Sequence, residues 1–306
     1  MNKFRRNLII ITGPTAIGKT GLAVFIAKAL KTEIISFDSR QFYKEMKIGT
    51  AVPTNEELSK VPHHFIQNLS IHDTYSVGDF EQDALKKIEE LFETHHSVVM
   101  VGGSGMFEKA VTEGLDEFPD VDPKFRQELI QEFEAFGIEK LQEELKNTDF
   151  SYYQQVDLSN HQRLIRALEI IRGSGKPFSS FRKNKSAERN FKVIKIGLQL
   201  PREEIYERIN RRVDLMMEEG LLDEVKSLYE FKHLNSLQTV GYKEIFDYLD
   251  GKIELDFAVE EIKKNTRRYA KRQLTWYRKD ENIKWFSPFE KEEILDYILN
   301  HLDKKS

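Results

Sequence analysis

Cysteine is absent from the 306 residues. That excludes disulfides, thiolate zinc sites and a cysteine nucleophile, and it fits a reducing cytoplasm. No apolar run approaches the roughly 18 residues that a membrane-spanning helix needs. No internal repeat and no long low-complexity linker is present. The basic start, residues 1–7, passes through a short apolar run straight into a glycine loop, so it reads as a buried strand and not as a signal peptide. A large net charge is also lacking: the sum is -4, with 40% hydrophobic and 32% charged residues. The totals predict a globular protein with a real core, as one large domain or two small ones.

The small net charge hides an uneven distribution. Residues 113–149 hold 12 acids and 4 bases, whereas residues 161–195 hold 10 bases and 2 acids. Residues 262–279 hold 8 bases and no acid. Any one such run is most simply a solvated helix face. Together they are what a phosphate backbone needs, even on an acidic protein.

The apolar pattern predicts an open α/β sheet with parallel strands. "NLIIIT" reads as a buried strand, "GKTGLAVFIAKAL" as a helix, "EIISFD" and "SVVMVGG" as further strands. "DFEQDALKKIEELFETH" is a helix for which Asp79 is the expected cap. Residues 116–190 show no strand; "DPKFRQELIQEFEAFG", "IEKLQEELKN" and "SNHQRLIRALEIIRGSG" read as helices. "KVIKIGLQL" restores a strand, a helix follows over residues 202–220, and the remainder is mainly helical. The expected fold is an α/β, P-loop NTPase-like core with a parallel sheet, residues 1–115 and 191–306. A small all-helical insertion, residues 116–190, interrupts it.

The chemistry begins at "GPTAIGKT", Gly13, Pro14, Thr15, Ala16, Ile17, Gly18, Lys19 and Thr20. A strand, a tight glycine turn and a helix aim several backbone N–H groups and a helix dipole at one spot. Lys19 supplies a charge for a terminal phosphate, and the Thr20 hydroxyl suits Mg²⁺. The motif specifies a polyphosphate and a metal; taken alone it looks like an ATP site. Asp38 and Ser39 end the second expected strand, where ligands of open α/β sheets sit. A carboxylate there can accept a proton from an incoming nucleophile, although Asp-Ser also makes a good cap. The third strand ends in Gly102 and Gly103, with Gly105 beyond, instead of an acid that would hold Mg²⁺ and water. Ser104 adds a hydroxyl there. This argues against an ATPase motor. It leaves a small-molecule kinase, of nucleoside or shikimate type, or a transferase that holds a diphosphate leaving group.

Seven segments, "GPTAIGKT", "ISFDSRQFYKEMKIGTAVPT", "VPHHF", "VGGSGMF", "NHQRLIRALE", "VGYKEI" and "NTRRYAKRQLTWYR", run in order over nearly the whole chain. In them the chain resembles the tRNA dimethylallyltransferases, also called tRNA isopentenyltransferases. The resemblance implies a P-loop core with a helical insertion that clamps a tRNA anticodon stem-loop. It implies transfer of a dimethylallyl group from dimethylallyl diphosphate to the exocyclic amine of the adenosine after the anticodon. Diphosphate leaves, and Mg²⁺ is required.

On this resemblance Gly13 to Thr20 hold the diphosphate, Asp38 is the general base, and Ser39, Arg40 and Gln41 lie against a flipped nucleotide, with Ser104 beside them. Arg212 matches an arginine that contacts diphosphate; a helix-surface arginine is the competing reading, with Arg211 beside it and Arg208 one turn back. Gln162, Arg163, Leu164, Ile165 and Arg166 match a tRNA-contacting motif. Arg163 and Arg166 share a helix face that suits phosphates, while Leu164, Ile165 and Leu168 face inward. In the later basic run Lys264, Arg268 and Lys271 are spaced by turns, and Trp276 is expected to be core. Four positions depart from the family pattern: Ser104 for threonine, Phe107 for tyrosine, Glu45 for glycine and Gln67 for aspartate. His63 and His64 are expected to pack or hydrogen-bond, not to bind metal. A cytoplasmic monomer is the default expectation.

Overall fold

The structure, a computed structural model, describes residues 6–182 and 187–302. The basic residues Lys3, Arg5, Lys183 and Lys185 lie outside them. Contacts divide the chain into two units, Met1–Thr112 with Glu188–Ser306, and Glu113–Ala187.

The first unit is built on a six-stranded, wholly parallel sheet in the order β3-β2-β4-β1-β5-β6. Its strands are β1 (Asn7–Thr12), β2 (Ile34–Ser36), β3 (His63–His64), β4 (Ser97–Val101), β5 (Lys192–Leu198) and β6 (Ile283–Phe286). β1 is central, with Ile10 opposite Met100 on one side and Lys195 on the other. Period-two alternation explains its unbroken apolar sequence. Ile9 and Ile11 pack on one face with Ile26, and Leu8 and Ile10 pack on the other with Phe80 and Ile88. β3 and β6 were not visible in the sequence: one is two histidines, the other a four-residue "IKWF".

A third apolar cluster, including Val213, Leu221, Tyr242, Phe246 and Ile262, joins the later helices. The longest, Leu255–Tyr277, spans 23 residues. Among the described residues no helix is long and apolar enough to cross a membrane. The helix Val77–Phe92 corrects one expectation. Its cap is Ser76, whose side chain accepts from the Asp79 N–H, while the Asp79 carboxylate reaches back to the Ser76 N–H. Asp79 thus closes a capping box from the third helical position.

The second unit contains the helices Lys124–Phe136, Ile138–Thr148, Phe150–Tyr153 and His161–Ser174. The short Phe150–Tyr153 helix was not foreseen; Asp149 caps it and also accepts from the Ser179 N–H at 2.7 Å. Leu129, Leu141, Leu145, Leu164, Ile165 and Leu168 form the core of this unit. Arg172 cross-links three of its helices, donating to both Glu132 oxygens at 3.0 Å and from Nε to Glu144 at 2.7 Å.

Candidate functional site

The glycine loop leaves β1 and enters the helix Lys19–Leu30. Gly13 has φ +143, and a Cβ there would come 2.8 Å from the Leu198 carbonyl, so the turn tolerates only glycine. Gly18 precedes the helix in the left-handed region, and no side chain caps it. The N–H groups of the first turn lack intrahelical acceptors and carry the positive end of the dipole. Thr15 differs: its N–H already donates to Gln273 Oε1 at 2.9 Å. Pro14 has no N–H, and its carbonyl accepts from Lys19 Nζ at 2.8 Å. Of the eight loop residues, Pro14 and Thr15 therefore have no spare N–H for an anion.

This loop forms one end of a cleft of about 530 Å³. Thr15 to Thr20, Asp38, Gln41 and Arg212 line it together with the segment Thr50–Asn55. Burial pulls Lys19 down to about 8; Asp38 opposes this and Arg212 adds to it. Burial also lowers the Arg212 guanidinium from its ordinary value, opposed by Asp38 and Glu57. Lys19 and Arg212 thus bring two desolvated cations to a cleft whose lining also holds the carboxylates of Asp38, Glu57 and Glu219. The structure separates the three candidate arginines. Arg212 lines the cleft and donates weakly to the Thr15 hydroxyl at 3.5 Å. Arg208 lies over the Phe289 ring, and Arg211 is exposed.

Asp38 follows β2 and caps the 3-10 turn Ser39–Gln41 by accepting from the Arg40 N–H at 3.2 Å. The cap reading and the cleft reading are thus both realised in one residue. The Ser104 hydroxyl accepts from the Ser39 N–H at 3.1 Å and pairs with the Ser39 hydroxyl at 3.1 Å. Both serines sit at strand carboxyl ends, which adjacency of β2 and β4 brings together. Burial pushes Tyr269 up to about 12, with Asp38 adding and Arg40 and Ser104 opposing.

Arg40 and Gln41 serve a purpose the sequence did not show. Arg40 Nη2 donates to the Gly49 and Val240 carbonyls at 2.9 and 2.6 Å. Gln41 Nε2 donates to the Thr50 and Ala51 carbonyls at 3.3 and 2.8 Å. Both hold the loop that forms the cleft wall. Glu224 holds the same loop from outside: it accepts from the N–H groups of Lys47, Ile48 and Gly49 at 3.0, 2.7 and 3.0 Å. It also accepts from the Tyr242 hydroxyl at 2.7 Å.

Gln273, Glu224 and Tyr269 escaped sequence reasoning. Gln273 is 5% exposed, and besides Thr15 it binds the Gly103 carbonyl through Nε2 at 2.9 Å. A neutral polar residue at a buried turn of a basic helix was the only hint.

One expectation needs correction, that Trp276 is core. Leu164 and Ile165 of the motif are 0% and 1% exposed, so their side chains pack inward as the helix spacing implied. Only Gln162, Arg163 and Arg166 of that motif are exposed; Arg166 pairs with Glu169 at 2.5 Å and lies over Phe118. Trp276 is not core: it is 40% exposed, while Tyr277 beside it is 1% exposed. The helix phase buries position 277 and leaves 276 at the edge of the packed face.

His63 Nδ1–H donates to the Val61 carbonyl at 2.8 Å, and His64 pairs with Glu33 at 2.6 Å. Among the described residues no group of three His, Asp or Glu is placed to hold a metal. The departures are absorbed locally. Phe107 packs on Phe42 and Phe80, Glu45 accepts from Ser70 and Ile71, and Gln67 donates to the Lys44 carbonyl.

The family model described as IPP transferase matches residues 41–280. A curated protein from Christiangramia forsetii named tRNA dimethylallyltransferase is 60% identical over 292 residues, 95% of this chain and 97% of that protein. One of the same name from Flavobacterium johnsoniae is 55% identical over 302 residues, 96% of this chain and 98% of that protein. The solved full-length tRNA isopentenylpyrophosphate transferase from Bacillus halodurans is 39% identical, covers 97% of both chains and superposes with a TM-score of 0.73. Motif, strand order and whole-length identity agree: this chain belongs to the IPP transferase family.

Proposed function

We propose that the protein transfers a dimethylallyl group from dimethylallyl diphosphate to the exocyclic amine of the adenosine 3′ to the anticodon in tRNA. Family membership supports this class of reaction. The observation that carries the chemistry is the convergence of Lys19, Arg212 and Asp38 on one cleft that is also lined by apolar side chains. Ile48, Val52, Pro53, Ile66 and Met216 are among them and suit a hydrocarbon. The matching family model and the relatives described above are transferases by name, which favours this reading over a nucleoside or shikimate-type kinase.

In this reading the adenine N6 attacks the allylic carbon, forming a C–N bond. The carbon–oxygen bond to diphosphate breaks, and its electron pair leaves with the diphosphate. Asp38 takes the N6 proton. Lys19, Arg212 and the amides of Gly18 to Thr20 stabilise the charge that grows on the departing diphosphate. The amine is a poor nucleophile, so positioning by Ser39, Gln41 and Ser104 matters as much as basicity. The adenine reaches Asp38 by leaving its stack, which costs a few kcal/mol and less in a single-stranded loop. Arg163 and Arg166, exposed on the helical unit, suit phosphates of the tRNA.

The Thr20 hydroxyl lines the cleft and would hold Mg²⁺ together with phosphate oxygens of the prenyl donor. When bound, Mg²⁺ neutralises charge on the leaving group. The reading includes a cytoplasmic location, where unmodified tRNA is found, and a monomer as the default state.

Purified protein with Mg²⁺, dimethylallyl diphosphate and unmodified tRNA should yield prenylated tRNA. Asp38→Ala should abolish the transfer and keep diphosphate binding. ATP hydrolysis without prenylation, or full activity in Asp38→Ala, overturns the reading.

A further inference from the structure

The carboxyl edge of the sheet sets the order of groups along the cleft. Strands β1, β4, β2 and β3 lie side by side in that order, and each delivers part of the cleft lining from its carboxyl end. The glycine loop follows β1, Gly102 follows β4, Asp38 follows β2, and Ile66 follows β3. Neighbouring strands are about 4.8 Å apart. The phosphate loop and Asp38 therefore hold the first and third places, and Ile66 stands one strand further on, where the sheet ends.

Ile66 is fixed in that place. The residues on either side of it, Phe65 and Gln67, have φ of +62 and +48, a region that residues with a Cβ rarely enter. Such backbone persists only where its surroundings over-determine it. Here the Phe65 ring packs on Phe80 with centroids 5.3 Å apart. The Gln67 N–H donates to the Gln41 carbonyl at 2.8 Å, and the Leu69 N–H donates to the Phe42 carbonyl at 2.9 Å. Gln41 in turn donates its N–H to the Asp38 carbonyl at 2.9 Å. Backbone hydrogen bonds thus link the segment that carries Ile66 to the turn that carries Asp38.

We propose that Ile66 sets the length of the prenyl group, admitting a five-carbon and excluding a ten-carbon allylic diphosphate. The inference rests on the proposed function for the diphosphate and the base, and it adds the residue that measures the chain. With C1 at Asp38, a dimethylallyl group extends three bonds of about 1.5 Å, roughly 4 Å in all and within one strand spacing. A geranyl group adds four more bonds, roughly 5 Å, and runs into the Ile66 side chain. The other direction leads past Met216 to Leu215, which is 46% exposed, and so into solvent. A tail that left that way would not feel position 66.

The test gives dimethylallyl diphosphate and geranyl diphosphate separately to the wild type, Ile66→Ala and Ile66→Val, with Mg²⁺ and unmodified tRNA, and weighs the modified nucleoside by mass. Both donors carry the same diphosphate, so damage to the glycine loop cancels in the ratio of their kcat/KM values. Ile66→Ala should raise the geranyl-to-dimethylallyl ratio about tenfold or more, and Ile66→Val should raise it less. An unchanged ratio in Ile66→Ala, or in Ile66→Val where the alanine variant does not fold, overturns the gate. Geranyl transfer by the wild type at the dimethylallyl rate overturns it too. Absence of transfer from either donor by the wild type would instead overturn the proposed function.

Discussion

Gln273 and Thr15 are 258 residues apart in sequence, yet the Gln273 Oε1 accepts the Thr15 N–H at 2.9 Å. Through its Nε2 the same side chain binds Gly103, so one amide ties the glycine loop, the β4 end and the long C-terminal helix together. The amide can do both because it carries an acceptor and a donor. Gln273→Ala removes one buried and one partly buried hydrogen bond and should lower stability by about 1–3 kcal/mol, read from a denaturant midpoint. Gln273→Glu keeps the acceptor for Thr15 but faces a carboxylate oxygen to the Gly103 carbonyl and adds negative charge near the anion site. It should bind diphosphate more weakly than Gln273→Ala. Wild-type diphosphate affinity in Gln273→Glu sinks this account.

Lys19 makes diphosphate binding pH-dependent. Its pKa falls to about 8 in the protein as described, chiefly through burial. Its unfolded value is higher, so between that value and 8 the unfolded chain binds more protons. This group's contribution to stability therefore rises with pH across that window. Binding of an anion favours the protonated form. Above about pH 8 diphosphate binding should take up a proton and weaken, which calorimetry in buffers of different ionisation enthalpy reads directly. Lys19→Met should bind diphosphate poorly and lose no stability at pH 7, because it removes a desolvated cation. A clear drop in its unfolding free energy at pH 7 contradicts the burial argument.

Glu224 gathers three consecutive backbone N–H groups and the Tyr242 hydroxyl on one carboxylate. Hydrogen bonds to a charged acceptor are worth about 1.5–3 kcal/mol each, not fully additive. Glu224→Ala should free the cleft wall at residues 47–54 and raise KM for the prenyl donor. Glu224→Gln should fall between it and the wild type, because the amide accepts but carries no charge. Limited proteolysis near the loop gives a second readout; an unchanged cut pattern in Glu224→Ala counts against the clamp.

Lys195 sits in a buried ionic cluster, 2.9 Å from Glu108 and 2.7 Å from Asp280. Burial raises the Glu108 carboxyl despite Lys195. Lys195→Met leaves that carboxyl unpaired, a loss of about 3–5 kcal/mol. In the variant the folded-state pKa of Glu108 rises further, so the deficit should be large at pH 8 and shrink as the pH falls and the carboxyl is protonated. A deficit equal at pH 8 and pH 5.5 would show that packing, not charge, is the cause.

Arg163 is exposed and Arg166 is already engaged by Glu169 and Phe118. Arg163→Ala should weaken tRNA binding with little effect on prenyl-donor KM and lower the salt slope of log K by about one. An unchanged salt slope removes Arg163 from the interface.

Much of the sheet was legible because parallel strands buried on both faces read as unbroken apolar runs, as β1 and β4 do. The glycine loop and Asp38 were legible because their chemistry is local. β3 was not, since two histidines carry no strand signal and pair only because β2 lies beside them. Trp276 was misjudged for a similar reason: a period of 3.6 shows that one side of a helix is buried, but a one-residue error in phase exchanges Trp276 with Tyr277.

The sequence by itself determined the phosphate loop, the alternation of strands and helices, and the carboxylate at position 38, since each follows from neighbours within a few residues. Tertiary structure alone decided that Gln273 holds Thr15, that Glu224 holds the cleft wall, and that Arg212 rather than Arg208 or Arg211 lines the cleft. Those relations join segments tens to hundreds of residues apart. Only the packing of the sheet and its helices brings such groups to hydrogen-bonding distance.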